Sequence, residues 1–302
     1  MPTLFYLDLG GGRVLRVGTD GAKPKAIVTS GCAEPDGVAV DVAGGYVYWT
    51  NMGAPSGGFT QIDNGYILRA KLDGSDVTPI VPMGGTHTPK QLKLDSTHGK
   101  LYWSDREGMR VMRANTDGSN IETLVTVAPD SASADMSNWA VGIALDLAGG
   151  KMYWTQKGPG PTNGVGTGSI RRAGLEIPAG QDGATRSDIE VLFSSLAEPI
   201  DMDLDLGKRE MYWTDRGDNT VSKAPMDPPS GADPAHRTDR DILVRGVGQA
   251  IGIALDLAND VMYYTALDTE NVSIAHLDGS GAKTLVAKQG VLSGITLVRV
   301  PQ

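Results

Sequence analysis

Several short stretches bring acids and bases close together. His87-Thr88-Pro89-Lys90-Gln91 sets an imidazole near an ammonium, and Glu198-Pro199-Ile200-Asp201 holds two carboxylates at the same spacing. Such groups, packed together away from water, acquire shifted pKa values and can pass protons. The candidate acid–base residues are therefore His87, Lys90, Glu198 and Asp201. A second set could hold a ligand: Glu34, Asp36, Asn51, Gln91, Asp105 and Arg106 in the first half of the chain. Trp139, Gln156, Lys157, Asp215, Arg216 and Gln249 follow in the second half. Lys90, Arg106 and Arg216 suit a substrate carboxylate or a developing enolate. The chemistry implied is proton transfer without a cofactor, by a lyase, isomerase or hydrolase.

Other chemistries find less support. Ser137, Ser194 and Ser195 lack the Gly-x-Ser-x-Gly context of a strained nucleophile. The Gly-rich run at residues 158–169 has no Gly-Lys-Ser/Thr and leads to a strand, so it is no phosphate loop. Cys32, the one cysteine, allows no internal disulfide and reads as a packing residue. His98, His236 and His276 fall on turns, an insertion and an exposed strand position.

What must position these residues is a repeat. Tyr-Trp-Thr-Asp at residues 212–215 has close copies at 48–51 (YWTN), 102–105 (YWSD), 153–156 (YWTQ) and 263–266 (YYTA), with a worn copy at 4–8 (LFYLD). The second aromatic falls at Tyr6, Trp49, Trp103, Trp154, Trp213 and Tyr264, spaced 43, 54, 51, 59 and 51 residues apart. Self-similarity at this period means a stacked array of small sheets. Each repeat begins with a small, apolar strand ending in Asp (GVAVD at 37–41, GIALD at 142–146 and 252–256). A tight turn, the aromatic strand, a third strand, an Asp-Gly turn and a β-branched fourth strand follow. Four antiparallel strands make a propeller blade. The chain opens on a second strand and ends on an unpaired first strand, GITLV at 294–298. Pairing the two ends completes a sixth blade and hides both strand edges. The expectation is one all-β, six-bladed propeller over residues 1–302.

In such a ring, the loops entering first strands and leaving second strands open on one face around the axis. The candidate residues all belong to those loops. Gly-rich insertions at 53–65 and 158–169 rim the same face and could act as lids.

Net charge is −9 with no basic run, which argues against nucleic acid and anionic membrane surfaces. No apolar run is long enough to span a bilayer. With one cysteine and no visible signal segment, a cytoplasmic setting is expected.

The YWT[DN] strands, GIALD-type first strands, Arg-Ala pairs (Arg69-Ala70, Arg113-Ala114) and Asp-Gly turns resemble the YWTD propeller repeat of the low-density-lipoprotein-receptor family. The resemblance covers essentially the whole chain. It implies six blades and, in that family, a module that binds protein ligands. Without flanking disulfide-rich modules, the chain looks more like stand-alone microbial YWTD proteins. Gluconolactonase and regucalcin-like propellers are similar in shape and hold a divalent ion on the axis. Here Lys90 at that place argues against a metal, and no metal or cofactor is expected. The reading is a small-molecule-binding propeller, with a protein- or peptide-binding scaffold and a metal-dependent lactonase-like hydrolase as alternatives.

Overall fold

The computed structural model describes residues 2–53, 64–132, 134–160 and 166–299. Residues 54–63 of the first Gly-rich insertion, with Phe59, and 161–165 of the second lie outside the described residues. The expected ring is present as six four-stranded antiparallel sheets. First strands are β4 (Pro35–Asp41), β8 (Pro89–Asp95), β12 (Ala140–Asp146), β16 (Pro199–Asp205), β20 (Ala250–Asp256) and β24 (Leu292–Arg299). Second strands are β1 (Pro2–Asp8), β5 (Tyr46–Asn51), β9 (Lys100–Asp105), β13 (Lys151–Gln156), β17 (Glu210–Asp215) and β21 (Val261–Ala266). The ring closes where β24 pairs antiparallel with β1, Leu4 opposite Leu297 and Tyr6 opposite Ile295.

The repeated aromatics seal the blades. Trp49, Trp103, Trp154 and Trp213 are fully buried. Each apolar cluster draws on neighbouring blades. Trp213 packs with Tyr153, Phe193 and Met202, and Trp49 packs with Phe5, Leu7 and Val38. Large flat rings fill the wedge between two twisted sheets with a large apolar area per side chain.

The threonine of the motif ties blade to blade at the axis. Thr50 Oγ1 accepts the Gly37 N–H (2.7 Å) and donates to the Lys90 carbonyl (2.8 Å). Thr155 links Gly142 to Ile200, Thr214 links Asp201 to Ile251, and Thr265 links Gly252 to Ser293 in the same way. The approach is close enough to explain the glycines. A Cβ on Gly37 would lie 2.3 Å from the Lys90 carbonyl oxygen, and one on Gly142 2.2 Å from that of Ile200. In the closing blade Leu7 replaces the threonine, and Ser293 Oγ on β24 donates instead to the Pro35 carbonyl (2.7 Å).

First strands start two residues earlier than the GVAVD-type pattern suggests. In β4, β8, β12, β16 and β20 the pairing with the second strand slips after the first residue, for example between Pro35 and Val38. Such bulges bend a strand and re-aim a side chain. Here they present the second residue of each strand, Asp36, Lys90, Val141, Ile200 or Ile251, to the mouth of the channel.

Candidate active site

Two rings of side chains make that mouth. The inner ring is the second residue of each first strand. The outer ring is the first residue after each second strand: Leu9, Met52, Arg106, Lys157, Arg216 and Leu267. One backbone hydrogen bond, repeated in every blade, sets the outer ring. Met52 N–H donates to the Glu34 carbonyl (3.1 Å), Arg106 to Thr88 (3.0 Å), Lys157 to Trp139 (3.1 Å) and Arg216 to Glu198 (2.9 Å). Leu267 donates to Gln249 (3.0 Å) and Leu9 to Val291 (2.8 Å).

The cavity so enclosed holds about 120 Å³ and has two unlike halves. Val141, Ile200 and Ile251 form a buried apolar cluster backed by Leu267. Opposite stand Lys90, Arg106, Lys157, Arg216 and Asp36. Glu198 supports two of the cations from behind. It accepts from Lys157 Nζ at 2.6 Å and from Arg216 Nε and an Nη at 2.8 and 2.7 Å. Glu107 holds Arg106 in a two-oxygen contact (2.8 and 2.7 Å to Nε). Asp36 accepts from Lys90 Nζ (2.5 Å) and from Gln91 Nε2 (2.9 Å), and Lys90 also touches Met52 Sδ at 3.0 Å. Four cations thus meet three carboxylates, a local charge of +1 in a chain whose net charge is −9.

Burial acts first on these groups. It lowers the Lys157 ammonium to about 8, the Glu198 carboxylate resisting and the Arg216 and Arg106 charges adding to the drop. Burial likewise depresses Lys90, against the pull of Asp36. Burial would raise Glu107, but Arg106 overrides it and holds the carboxyl below its ordinary value. Buried amines with weakened protonation are the groups that exchange protons near neutral pH.

Not all the candidate residues come together here. Lys90, Asp36, Arg106, Lys157 and Arg216 line the cavity, with Glu198 and Gln91 directly behind. Trp139 is buried beneath Arg106 and Lys157, whose charges lie 5.0 and 5.4 Å from its ring centroid. It is a floor, not an exposed aromatic. Asn51, Asp105, Gln156 and Asp215 are fully buried loop clamps. Asp105 accepts the N–H groups of His87 (3.1 Å) and Thr88 (2.7 Å), and Asp215 accepts those of Glu198 (2.8 Å) and Gly217 (3.0 Å). Asn51 accepts from Ala33 N–H and Gln156 donates to the Ser137 carbonyl. Burial, with the neighbouring Asp218 charge, raises Asp215 to about 7. His87 is half-buried and is not among the lining residues. Glu34 and Gln249 are not among the lining residues, and their carbonyls accept the N–H groups of Met52 and Leu267.

Asp201 lies lower, at the waist of the channel. Its carboxylate accepts the N–H groups of Met202 (2.8 Å) and of Ile253 in the next blade (3.1 Å). Burial raises it to about 7 despite the nearby Lys93 charge. Gln91 and Asp201, both buried, occupy the layer where the other first strands carry Gly37, Gly142, Gly252 and Gly294. Glu107 and Met52 were not among the candidates. Both adjoin the second-strand termini, so the loop positions that supplied Arg106 and Asn51 would have found them.

Among the described residues, no three His, Cys, Asp or Glu side chains converge as a metal ion would need. The inner ring instead carries an ammonium beside its one carboxylate.

Comparison with known proteins agrees with this architecture. Residues 99–147 match the family model described as Low-density lipoprotein receptor repeat class B. A Low-density lipoprotein receptor-related protein 1 of Pyricularia oryzae is 39% identical over 300 residues, covering 95% of this chain and 92% of that one. A 3-hydroxyacyl-CoA dehydrogenase-like protein of Cochliobolus heterostrophus is 34% identical over 307 residues, of which the chain spans 62% of the length. Among solved structures, the nidogen/laminin complex contains a chain that superposes over its full length and all of this one, with TM-score 0.75 and 21% identity. A gluconolactonase of Xanthomonas campestris superposes with TM-score 0.60 and 18% identity, covering 87% of this chain and 79% of that one. At those identities the structures share the fold alone. Motif, architecture and sequence identity together place the chain in the family of low-density-lipoprotein-receptor class B (YWTD) propellers.

Proposed function

We propose that the mouth binds a small organic carboxylate and moves a proton on it, with Lys157 as the base. The observation that carries this reading is the convergence of Lys90, Arg106, Lys157 and Arg216 on one small, half-apolar cavity. The cations would hold the carboxylate, and the Val141, Ile200 and Ile251 wall would take a short carbon skeleton. Small cavities with a few convergent polar groups are the usual form of such sites. Lowered to about 8, Lys157 is partly neutral near pH 7. In that form its nitrogen takes a proton from carbon next to a carbonyl. The electron pair moves onto the carbonyl oxygen, where Arg106 and Arg216 stabilise the enolate. The resulting ammonium returns the proton, so no cofactor is consumed.

Incubation of the protein with small 2-oxo and 3-oxo acids in D₂O, followed by NMR, tests this. Deuterium should enter the carbon next to the carbonyl, and Lys157→Met should abolish it. Exchange that is absent throughout, or unaffected by that substitution, contradicts the reading.

One comparison favours a second reading, a protein-binding module. The neighbour with TM-score 0.75 comes from a protein–protein complex. Against it, protein-binding faces favour exposed aromatics, whereas Trp139 at this mouth is buried. The dehydrogenase-like name of one relative draws no support from the blades. Among the described residues there is no α-helix, hence no Gly-rich strand-to-helix turn for a dinucleotide.

A further inference from the structure

Three of the aromatic strands end in aspartate: β1 at Asp8, β9 at Asp105 and β17 at Asp215. Each of these carboxylates is buried, and each stands directly opposite the first residue of the third strand. In two of the blades that residue is an arginine. Arg13 donates to Asp8 Oδ2 through Nε (2.9 Å) and an Nη (2.6 Å), and Arg110 donates to Asp105 Oδ2 through an Nη (2.7 Å). In the third blade it is Thr220, which brings no charge. The remaining aromatic strands end in Asn51, Gln156 and Ala266, which need none.

Asp215 therefore carries a buried carboxyl that the residue opposite does not balance. Its Oδ1 accepts the N–H groups of Glu198 (2.8 Å), Gly217 (3.0 Å) and Asp218 (3.3 Å). Its Oδ2 is buried, and no N–H or O–H group of the described residues reaches it. The charged groups that act on Asp215 are Asp218, whose carboxyl comes within hydrogen-bonding reach, and Arg240. The guanidinium stops one residue short. Arg240 donates to Asp218 Oδ2 (3.1 Å) and to the hydroxyls of Thr220 (3.2 Å) and Ser222 (3.0 Å). Two carboxyl groups that share one place cannot both ionise cheaply, so a proton stays between them. Burial and the Asp218 charge hold it there to about pH 7, against the pull of Arg240.

The segment so clamped belongs to the mouth. Arg216 follows Asp215 directly. The Glu198 N–H that Asp215 holds belongs to the residue whose carboxylate grips Arg216 and Lys157.

We propose that Asp215 and Asp218 share one proton in place of the missing arginine, and that loss of this proton frees the Arg216 loop and loosens the mouth. A covered, ionised Oδ2 without a donor is costly and must be reached by water. The cover that has to lift is the turn at residues 216–219. The consequence for function rests on the carboxylate reading: with Arg216 released, the mouth holds an anion less well. An unfolded aspartate titrates near 4, so the clamp contributes fully below about pH 4 and is lost as pH rises through about 7.

The test uses the ligand-free full chain. Proton–nitrogen NMR spectra are recorded from about pH 5 to about pH 8, a range that brackets the titration of the pair. The amides of Glu198, Gly217 and Asp218 should shift together in one step near pH 7. The Arg216 Nε–H, which donates to Glu198, should be lost through the same step, while the Arg13 Nε–H, held by Asp8, persists as an internal control. Asp218→Asn supplies a permanent N–H donor for Asp215 Oδ2, and Thr220→Arg restores the guanidinium of the other two blades. In either variant the step should vanish and the Arg216 signal should persist to higher pH than in the wild type. If Thr220→Arg does not fold, Asp218→Asn decides alone. Amides that do not titrate near pH 7, a step unchanged in a folded variant, or an Arg216 signal lost no sooner than that of Arg13 each overturns the proposal. None of these outcomes depends on whether the mouth binds a carboxylate.

Discussion

Lys157 Nζ stands 2.6 Å from Glu198 Oε1, joining the loop after β13 to the loop before β16. The bond crosses from one blade to the next at the rim of the channel. Glu198 also grips Arg216 of its own blade, so one buried carboxylate holds two cations of the mouth in place.

Replacing that carboxylate should separate stability from binding. Glu198→Gln leaves Arg216 without its counter-charge and removes the carboxylate that resists the lowering of the Lys157 pKa, so Lys157 loses its proton at lower pH. Breaking a buried pair from one side costs about 3–5 kcal/mol, so the urea midpoint should fall. The pH at which carboxylate affinity weakens should move below about 8 in the same variant. Titration at matched temperature, well below the melting point, checks both signs.

The same lysine sets a pH dependence. With its pKa lowered to about 8, Lys157 is charged below that value and neutral above it. Carboxylate affinity should therefore weaken as pH rises through about 8, as the mouth loses one positive charge. In Lys157→Met this step should vanish. Dissociation constants measured from about pH 6.5 to about pH 9.5 in both proteins decide it.

Asp201 predicts a stability slope of opposite origin. Its folded pKa is raised to about 7, whereas an unfolded aspartate titrates near 4. Between those values the native state holds the extra proton. Its contribution is complete below about pH 4 and is lost as pH rises through about 7, at no more than about 1.4 kcal/mol per pH unit. Asp215, also raised to about 7, acts with the same sign. Urea unfolding at about pH 5.5 and about pH 7.5 should show a shallower slope in Asp201→Asn than in the wild type.

Hydroxyl bridges at the axis should be individually measurable. Thr214→Val removes the acceptor of the Asp201 N–H and the donor to the Ile251 carbonyl, both buried. Orphaned buried groups cost about 1–3 kcal/mol each. Ser293→Ala should cost a similar amount at the closing blade, where Leu7 cannot replace the lost hydroxyl. Chemical denaturation of the two variants measures both.

The architecture was legible because it is written six times. The aromatic strands, the Gly-rich first strands and the split terminal blade each point to the same ring, and β24 pairs with β1 as the ends of the sequence imply. The site was legible only in part. Knowing which loops share a face brought Lys90, Arg106, Lys157, Arg216 and Glu198 together. Depth was not readable, because it depends on bulges. The slip between Pro199 and Met202 leaves Asp201 at the waist, while Ile200 turns to the mouth. Asn51, Asp105, Gln156 and Asp215 look like ligand groups by position. Each binds an N–H or carbonyl group of its own loop, a local demand that residue type alone does not reveal.

The most direct test of the account is calorimetric titration of the purified chain with acetate, pyruvate and 3-oxobutyrate at about pH 7. One site is predicted, weakened at least tenfold in both Lys90→Met and Lys157→Met. If no small carboxylate binds, or if binding survives the loss of both lysines, the mouth is not a carboxylate site and the central claim fails.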